Sequence, residues 1–396
     1  MSRWPQSRDI ATRELAGVRG ADTSDSDVAD TWARVAWNLL TEPGDGAAGR
    51  LISVLGASRA LEITVSGLPA PVDLSADIER GRERWMPRWR PEGVAAACAA
   101  AVRAGVRLIV PGDPAWPAAV DDLGPHRPVA LWVRGSGALL RPAGGAVALV
   151  GARAATGYGE HVAGELAADL AGSGVTVVSG AAYGIDGAAH RAALTLGGAT
   201  VAFLAGGADR AYPAGHSRLI DRIADSGAIV SEAPCGAAPT KWRFLQRNRL
   251  IAAISDATVV VEAGWRSGSL NTAGHAASLG RPLGAVPGPI TSTASAGCHR
   301  LLREYDARCI TSADDVRELL GWEDGTLLPA TSGDRTDRTT RVLDALSVRT
   351  EKDLSQIARS CGLAPAEVEA ELGILALCGG AERGTIGWRR IASRTR

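Results

Sequence analysis

A series of short apolar runs, spaced by segments of helix length, constrains the fold between Arg107 and about Leu320. The runs are AVALVG (146–151), VTVVSG (175–180), TVAFLAGG (200–207), AIVSE (228–232), ATVVVEA (257–263) and PLGAVPG (282–288). Nearly continuous apolar strands that alternate with helices are typical of a parallel sheet covered on both faces. The sequence therefore predicts an α/β fold with a mostly parallel sheet. Ligands of open sheets of this kind bind at the carboxyl ends of the strands.

The segments on either side of this region have different patterns. Residues 1–30 are polar and contain the run ADTSDSDVAD, which predicts a disordered arm. Residues 31–105 are rich in Ala, Leu and Arg with helical periodicity, which predicts a small helical module ahead of a sheet domain at 106–325. Residues 326–340 lack apolar periodicity and predict a linker. Residues 341–396 predict three short helices and a two-stranded wing, the pattern of a winged helix-turn-helix.

Composition and charge limit the function. The 396 residues include 43 basic and 43 acidic side chains, so binding of nucleic acid must come from a local patch. The six cysteines form no C-x-x-C pair, which disfavours a zinc ribbon and a disulfide framework. Lys241 and Lys352 are the only lysines, and neither belongs to a P-loop. Because the chain has neither a long apolar run nor an apolar signal segment, we expect a cytoplasmic protein that does not span a membrane.

Two glycine-rich loops follow apolar runs and lead into helices. The loop VGARAATGYG leads into a helix whose free N–H groups can bind an anion, or it is only a tight structural turn. Because Arg153 lies in this loop, we favour a phosphate-binding site. The spacing is not G-x-G-x-x-G, which disfavours a nicotinamide or flavin cofactor. In VSGAAYGIDGAAH, Gly180 and Gly184 bracket a second turn. Asp186 and His190 are four residues apart, so they are either an acid/base or metal pair or, as we favour, a helix-capping acid bonded to the histidine.

The segment TKWRFLQRNRLIAAIS (240–255) is strongly basic and contains no acid. Such a patch suits a phosphodiester backbone, and Trp242 and Phe244 offer stacking surfaces. Arg243 and Arg247 share a helical face, and we favour phosphate as the partner of Arg247. Arg249 stays open between phosphate and an ion pair with a glutamate at a nearby strand end, position 232 or 262.

A serine-rich turn precedes the next predicted helix. Ser267, Gly268 and Ser269 give this helix a hydroxyl-lined start that either caps itself or holds an anion. The turn is not G-x-S-x-G and no base is placed near it, so a nucleophilic serine is disfavoured. Four anion-friendly loops without a catalytic constellation indicate a protein that binds a polyanion, and we expect no catalytic residue, metal ligand or cofactor.

These segments resemble the DNA-processing protein A (DprA, also called Smf) family. The resemblance is carried by VGAR with the following YG, SGAAYGID with AAH, FLAGGADRAYP, SEAPCGAAPTKWRFLQRNRLIAAIS, VVVEAGWRSGSLNTA and AVPG. It implies an extended Rossmann fold with a helical (SAM-like) module, binding of single-stranded DNA, a homodimer, and delivery of the DNA to the RecA recombinase in natural transformation. The positions that it implies in DNA contact are Arg153, Ser179, Gly180, Gly184, Lys241, Arg247, Asn248, Ser267, Gly268 and Ser269, and the basic patch adds Arg243.

Two other functions stay open. One is a nucleotide-processing enzyme on a similar scaffold, such as a phosphoribohydrolase, but the chain lacks the PGGxGTxxE motif of those enzymes. The other is a transcription regulator that uses the winged helix. Its presumed recognition helix carries Glu367, Glu369 and Glu371, which would repel the phosphates of duplex DNA. We therefore favour a partner or a self-contact for the winged helix.

Overall fold

The computed structural model describes residues 8–19, 27–322, 338–377 and 379–391. The chain divides into two compact units, Met1–Glu323 and Asp324–Arg396, close to the boundary predicted between residues 325 and 326. The helical module and the sheet domain, which the sequence predicts as separate domains, belong to the same unit. No helix in the described part of the chain is long and apolar enough to cross a membrane.

The first unit begins with helices. They are α1 (Arg8–Leu15), α2 (Asp27–Leu40), α3 (Gly46–Leu55), α4 (Ala57–Ser66), α5 (Val72–Trp85) and α6 (Gly93–Arg103). Trp37 and Trp85 are buried among them, with their rings edge to face and their centroids 5.2 Å apart. The prediction of a disordered arm is wrong for α1, because Ala11 and Leu15 are one helical turn apart and both enter the core. The prediction is also wrong at residues 16–19, where Val18 is buried, and at 27–30, which begin α2; residues 1–7 and 20–26 lie outside the described residues.

One nine-stranded sheet follows within the described residues. Its strands are β1 (Val106–Ile109), β2 (Leu131–Gly135), β3 (Ala146–Gly151), β4 (Thr176–Ser179), β5 (Thr200–Leu204), β6 (Ala228–Ser231), β7 (Ala257–Glu262), β8 (Leu283–Ala285) and β9 (Arg308–Cys309). The order is β1-β2-β6-β5-β4-β3-β7-β8-β9, parallel from β6 to β9 and antiparallel where β2 pairs with β1 and β6. The predicted parallel α/β sheet is confirmed. Strand order reverses between β3 and β7, which is where open sheets form a ligand crevice.

Helices cover both faces of the sheet. They are α7 (Gly157–Gly172), α8 (Ile185–Thr195), α9 (Ser217–Ser226), α10 (Lys241–Ile254), α11 (Ser269–Ser278), α12 (Ala296–Glu304) and α13 (Ala313–Leu319). Val147 and Leu149 of β3 belong to the core formed with α7, α8 and α13. Their neighbours Ala148 and Val150 belong to the core formed with α10, α11 and α12. This alternation along one apolar strand is the two-residue period of a strand buried on both sides.

The second unit contains α14 (Arg338–Ala345), α15 (Leu354–Cys361), α16 (Pro365–Leu377), β10 (Ala381–Arg383) and β11 (Trp388–Arg390). The two strands pair antiparallel, and the helices bury a small core that includes Val342, Ile357 and Leu372. The linker predicted at 326–340 is wrong at its last three residues, which begin α14 because Val342 and Ala345 need a helix to enter that core. The other residues of the linker lie outside the described part, and the winged-helix assignment stays a prediction.

Candidate nucleic-acid interface

A cavity of about 440 Å³ opens at the carboxyl ends of β3 and β7, at the reversal of strand order. The loop after β3, the first turn of α8, one side of α10 and the loop that leads into α11 form its walls. Within the described residues, its charged lining consists of Arg153, Asp186, Arg247 and Arg266. Three cations against one acid, next to the starts of two helices, give the cavity a lining that is mostly cationic.

Arg247 is the most enclosed of these arginines. Only 6% of the residue is exposed, and its Nη1 donates a hydrogen bond to the carbonyl oxygen of Phe203, 2.9 Å away at the end of β5. Burial lowers the pKa of Arg247 to about 10; Arg153 adds to this shift and Asp186 opposes it. The side chain is therefore still a cation at neutral pH. Its Nε is buried without a hydrogen-bond partner among the described residues.

Two of the predicted glycines make room for this arrangement. A Cβ atom on Gly180 would lie 1.5 Å from Nη1 of Arg247, so only glycine lets the guanidinium pack there. Gly184 has a φ of +71°, and a Cβ there would lie 2.2 Å from the carbonyl oxygen of Ala152. Ser179 is fully buried and its hydroxyl donates to the carbonyl oxygen of Leu149 at 2.6 Å. The structure thus gives these three residues packing roles outside the cavity lining, and their contact with DNA stays a prediction.

Phe244 brings two of the arginines together. The guanidinium carbon of Arg153 lies 4.6 Å from the centroid of the Phe244 ring, and that of Arg247 lies 5.9 Å from it. Arg153 is exposed, and no carboxylate within the described residues forms an ion pair with it. The prediction that Arg153 and Arg247 meet at one edge of the sheet is confirmed. The Phe244 ring orients both guanidinium groups without neutralising them, so their positive charges stay available to a ligand.

The other cations of α10 do not join the cavity. Arg243 donates from Nε and Nη2 to the carboxylate of Glu42, at 2.8 and 3.0 Å. Arg249 donates from Nη2 to both oxygens of Glu232, at 2.8 and 2.7 Å, which settles the open alternative for this residue. Lys241 is exposed at the start of α10, outside the cavity lining. Arg243 thus lies outside this cavity, and a role for it in DNA contact stays a prediction. Its carboxylate partner lies 201 positions earlier, where no local pattern reveals it.

The wall opposite α10 is the serine turn, and it is where the sequence predicted it. Ser267, Gly268 and Ser269 all line the cavity, and the two serine hydroxyls are 2.8 Å apart. Asn248 of α10 reaches across, and its Nδ2 donates to the carbonyl oxygen of Gly268 at 3.3 Å. Arg266 was missed by the sequence analysis, although a cation placed directly before an anion-friendly turn is a usable signal.

Asp186 and His190 serve the fold. The carboxylate of Asp186 accepts from the backbone N–H groups of Gly180 and Ala182, at 3.1 and 3.4 Å. These groups belong to the loop before α8, so Asp186 lies in the first turn of the helix but does not cap it by a hydrogen bond, and the capping prediction is wrong. The predicted bond from His190 to Asp186 is wrong. Nε2 of His190 accepts from the N–H of Ala181, and its Nδ1 pairs with the hydroxyl of a threonine on β5 at 2.7 Å.

The environment of these two groups explains their charge states. Burial lowers the pKa of His190 to about 3, so the imidazole is neutral at physiological pH. Burial raises the pKa of Asp186, and the charge of Arg247 opposes that shift. No group of three or more His, Cys, Asp or Glu that could hold a metal ion occurs in the described part of the chain.

The fold and the cavity together define a Rossmann-like α/β protein with an arginine-lined cavity at the switch point of its sheet. Residues 107–321 match the family model described as DNA recombination-mediator protein A. The putative DNA processing protein DprA of Mycobacterium tuberculosis is 50% identical over 299 residues, which cover 72% of this chain and 76% of that protein. The chain therefore belongs to the DNA recombination-mediator protein A (DprA) family.

Further relatives and solved structures agree with this assignment. The DNA processing protein DprA of Bacillus subtilis is 37% identical over 193 residues, covering 49% of this chain and 64% of that protein. The X-ray structure of DprA from Streptococcus pneumoniae superposes with a TM-score of 0.59 at 30% identity, covering 73% of this chain and 97% of that one. A structure of DprA from Helicobacter pylori, reported for its single-stranded DNA binding mode, has a TM-score of 0.50 at 30% identity and covers 55% and 98%.

Proposed function

We propose that this protein binds single-stranded DNA, with the phosphate backbone in the cavity between β3 and β7. The observation that carries the proposal is the convergence of Arg153, Arg247 and Arg266 on one cavity without an ion-pair partner among the described residues. Charge-assisted bonds from arginine to phosphate are the strong, geometrically defined contacts that backbone binding requires. Membership of the DprA family supports the same ligand.

The arrangement favours backbone contacts over reading of base sequence. The helix starts, the serine hydroxyls and the arginines all suit phosphate oxygens, which carry no sequence information. A cavity of about 440 Å³ has room for a phosphate and its attached sugar. A flexible single strand can insert this group into the cavity, whereas in a duplex the stiff double helix restricts its insertion. We therefore expect binding with little sequence preference and a clear preference for single strands.

The enzyme alternative receives little support from the site. Asp186 is occupied by two backbone N–H groups, and His190 is neutral and bonded within the core. We propose that the isolated chain does not turn over nucleotides or DNA. Sustained hydrolysis with Mg²⁺ that disappears in the Asp186→Ala variant would contradict this proposal.

Family membership also suggests the wider role. We propose that the protein acts in the cytoplasm as a homodimer, protects incoming strands in natural transformation and loads RecA onto them. For the second unit we propose a winged helix that contacts a partner or another copy of the chain, because Glu367, Glu369 and Glu371 make α16 acidic.

Light scattering tests the proposed dimer: a monomer at micromolar concentration with full DNA affinity would contradict the need for a dimer. Faster RecA filament growth on strands precoated with single-strand-binding protein is the result expected for loading, and an unchanged rate contradicts it.

Fluorescence anisotropy with labelled single-stranded and duplex oligonucleotides of equal length tests the DNA proposal. The logarithm of the association constant for the single strand should fall with the logarithm of salt concentration, by about 0.7 per phosphate contact. Equal or tighter binding to the duplex at every salt concentration would overturn the proposal.

A further inference from the structure

An exposed tryptophan borders the arginine-lined cavity. Trp265 lies between Gly264 and Arg266, which both line the cavity, and 54% of its surface is exposed. An indole is costly to leave in water, since its burial would contribute a large hydrophobic gain. Its position at the edge of the cavity places an aromatic surface where a bound ligand could cover it.

The ring of Trp265 is held by its neighbours on α12. The guanidinium carbon of Arg300 lies over the indole, 5.1 Å from the ring centroid. Arg300 is itself fixed, because its Nε donates to Glu304 at 2.8 Å and its Nη2 donates to the hydroxyl of Tyr305 at 3.2 Å. Glu304 pairs with Arg300 and also with Arg303, at 3.2 Å, so its one negative charge is shared by two arginines. The contribution of Arg300 to the proposal is the orientation of the indole. The ring is thus preorganised, which lowers the entropic cost of using it in binding.

We propose that Trp265 is a base-stacking platform for the nucleotide whose phosphate is bound in the cavity. This inference rests on the proposed function. Arg266, one residue further along the chain, lines the cavity, and consecutive Cα atoms are only about 3.8 Å apart, so the indole is within reach of a base attached to that phosphate. Any of the bases can stack on an aromatic side chain, so a stacking contact agrees with DNA binding that has little sequence preference.

Trp242 provides a matched control. It is the same side chain with nearly the same exposure, 53%, but it lies on the first turn of α10 and outside the cavity lining. If exposure alone determined stacking, the two tryptophans would contribute equally. The proposal instead assigns the contact to Trp265, because only this ring adjoins the cavity and is held by a fixed cation.

The experiment compares binding of a labelled oligothymidylate with that of a strand of equal length made of abasic sites, across a salt series. The wild-type protein should prefer the strand with bases. Trp265→Ala should weaken binding of that strand roughly tenfold and bring the ratio between the two strands close to one. It should leave the affinity for the abasic strand and the salt slope unchanged. Trp265→Phe should keep most of the preference, and Trp242→Ala should keep all of it.

Several results would overturn the stacking proposal alone. They are an unchanged ratio in Trp265→Ala, equal binding of both strands by the wild-type protein, and loss of the preference in Trp242→Ala. Trp265→Leu keeps an apolar side chain and carries the test if the alanine variant melts below the wild-type protein. If the wild-type protein binds neither strand in a salt-dependent manner, the proposed function itself fails.

Discussion

Arg247 and Arg249 are two positions apart on the same helix, and both are buried, yet their partners differ completely. Arg249 meets both carboxylate oxygens of Glu232, which also accepts from the N–H of Gly44 at 3.3 Å. Arg247 meets a backbone carbonyl oxygen and lines a cavity. The first arginine joins the sheet domain to the helical module, and the second is left with bonding capacity that a ligand can use.

The difference shows how to separate a structural cation from a binding one inside a single basic segment. A buried arginine whose charge is balanced by a buried carboxylate has little charge left for a phosphate. Both arginines keep buried nitrogens without a hydrogen-bond partner among the described residues: Nε of Arg247, and Nε and Nη1 of Arg249. Only Arg247 has no carboxylate in ion-pair contact there and a pKa lowered by burial, and a bound anion would improve that environment. Burial is common to both residues, so the partner decides the role. The predictions below test this distinction through stability on one side and DNA affinity on the other.

The largest effect is expected for Arg249→Ala. This substitution leaves the carboxylate of Glu232 buried without its cation, and breaking a buried pair in this way costs about 3–5 kcal/mol. Urea or thermal unfolding measures the loss. The double variant Arg249→Met, Glu232→Leu should recover much of the lost stability, since it removes both charges. An Arg249→Ala protein that unfolds like the wild type would show that the pair does not hold the unit together.

Arg247→Ala should act mainly on binding. The lost charge-assisted contact is worth about 1.5–3 kcal/mol, so affinity for single-stranded DNA should fall roughly tenfold or more. The salt slope should become shallower by about 0.7, and Arg247→Lys should recover only part of the affinity.

The matched control for Arg247→Ala is Arg243→Ala on the same helix. Because Arg243 is occupied by Glu42, its loss should leave the salt slope unchanged. If the two variants weaken binding equally, or if Arg247→Ala is as unstable as Arg249→Ala, then partners do not distinguish the roles of these arginines.

A smaller loss is expected for Arg153→Ala. Arg153 is exposed, so part of its contact with phosphate is screened by water and salt, and we expect a three- to tenfold decrease in affinity, or roughly 0.7–1.4 kcal/mol. Its melting temperature should match that of the wild type, because its neighbour Phe244 stays in place. The same anisotropy series measures the decrease. Unchanged affinity in Arg153→Ala would limit the site to the buried arginine.

The fold could be predicted from the sequence wherever the signal is local. The apolar runs at 146–151 and 257–263 specify buried parallel strands, and parallel strands bring their carboxyl ends to one edge, which is why Arg153 and Arg247 could be placed together. Contacts between distant segments could not be predicted. The partner of Arg243 belongs to the helical module, and the hydroxyl of Ser179 bonds across the sheet.

The last prediction concerns how the charge of Arg247 changes stability in acid. The pKa of His190 in the folded protein is about 3, because of burial first and the charge of Arg247 second, whereas an unfolded histidine titrates near 6.5. Below pH 6.5, therefore, His190 is protonated in the unfolded chain but stays neutral in the folded protein. Stability is complete above pH 6.5 and falls as the pH is lowered towards 3, by at most about 1.4 kcal/mol per pH unit.

Removing the charge of Arg247 should make this acid limb shallower. Without it, the pKa of His190 in the folded protein rises, so the loss of stability ends at a higher pH. Asp186 changes in the same direction, since its pKa rises further without Arg247 and the folded protein then binds a proton more readily in acid. Urea unfolding of Arg247→Ala between pH 7 and about pH 3, with Arg243→Ala as control, measures the difference. If the free energy of unfolding falls equally with pH in the two variants, the charge of Arg247 does not affect the pKa values of His190 and Asp186. The role of Arg247 would then be confined to the cavity.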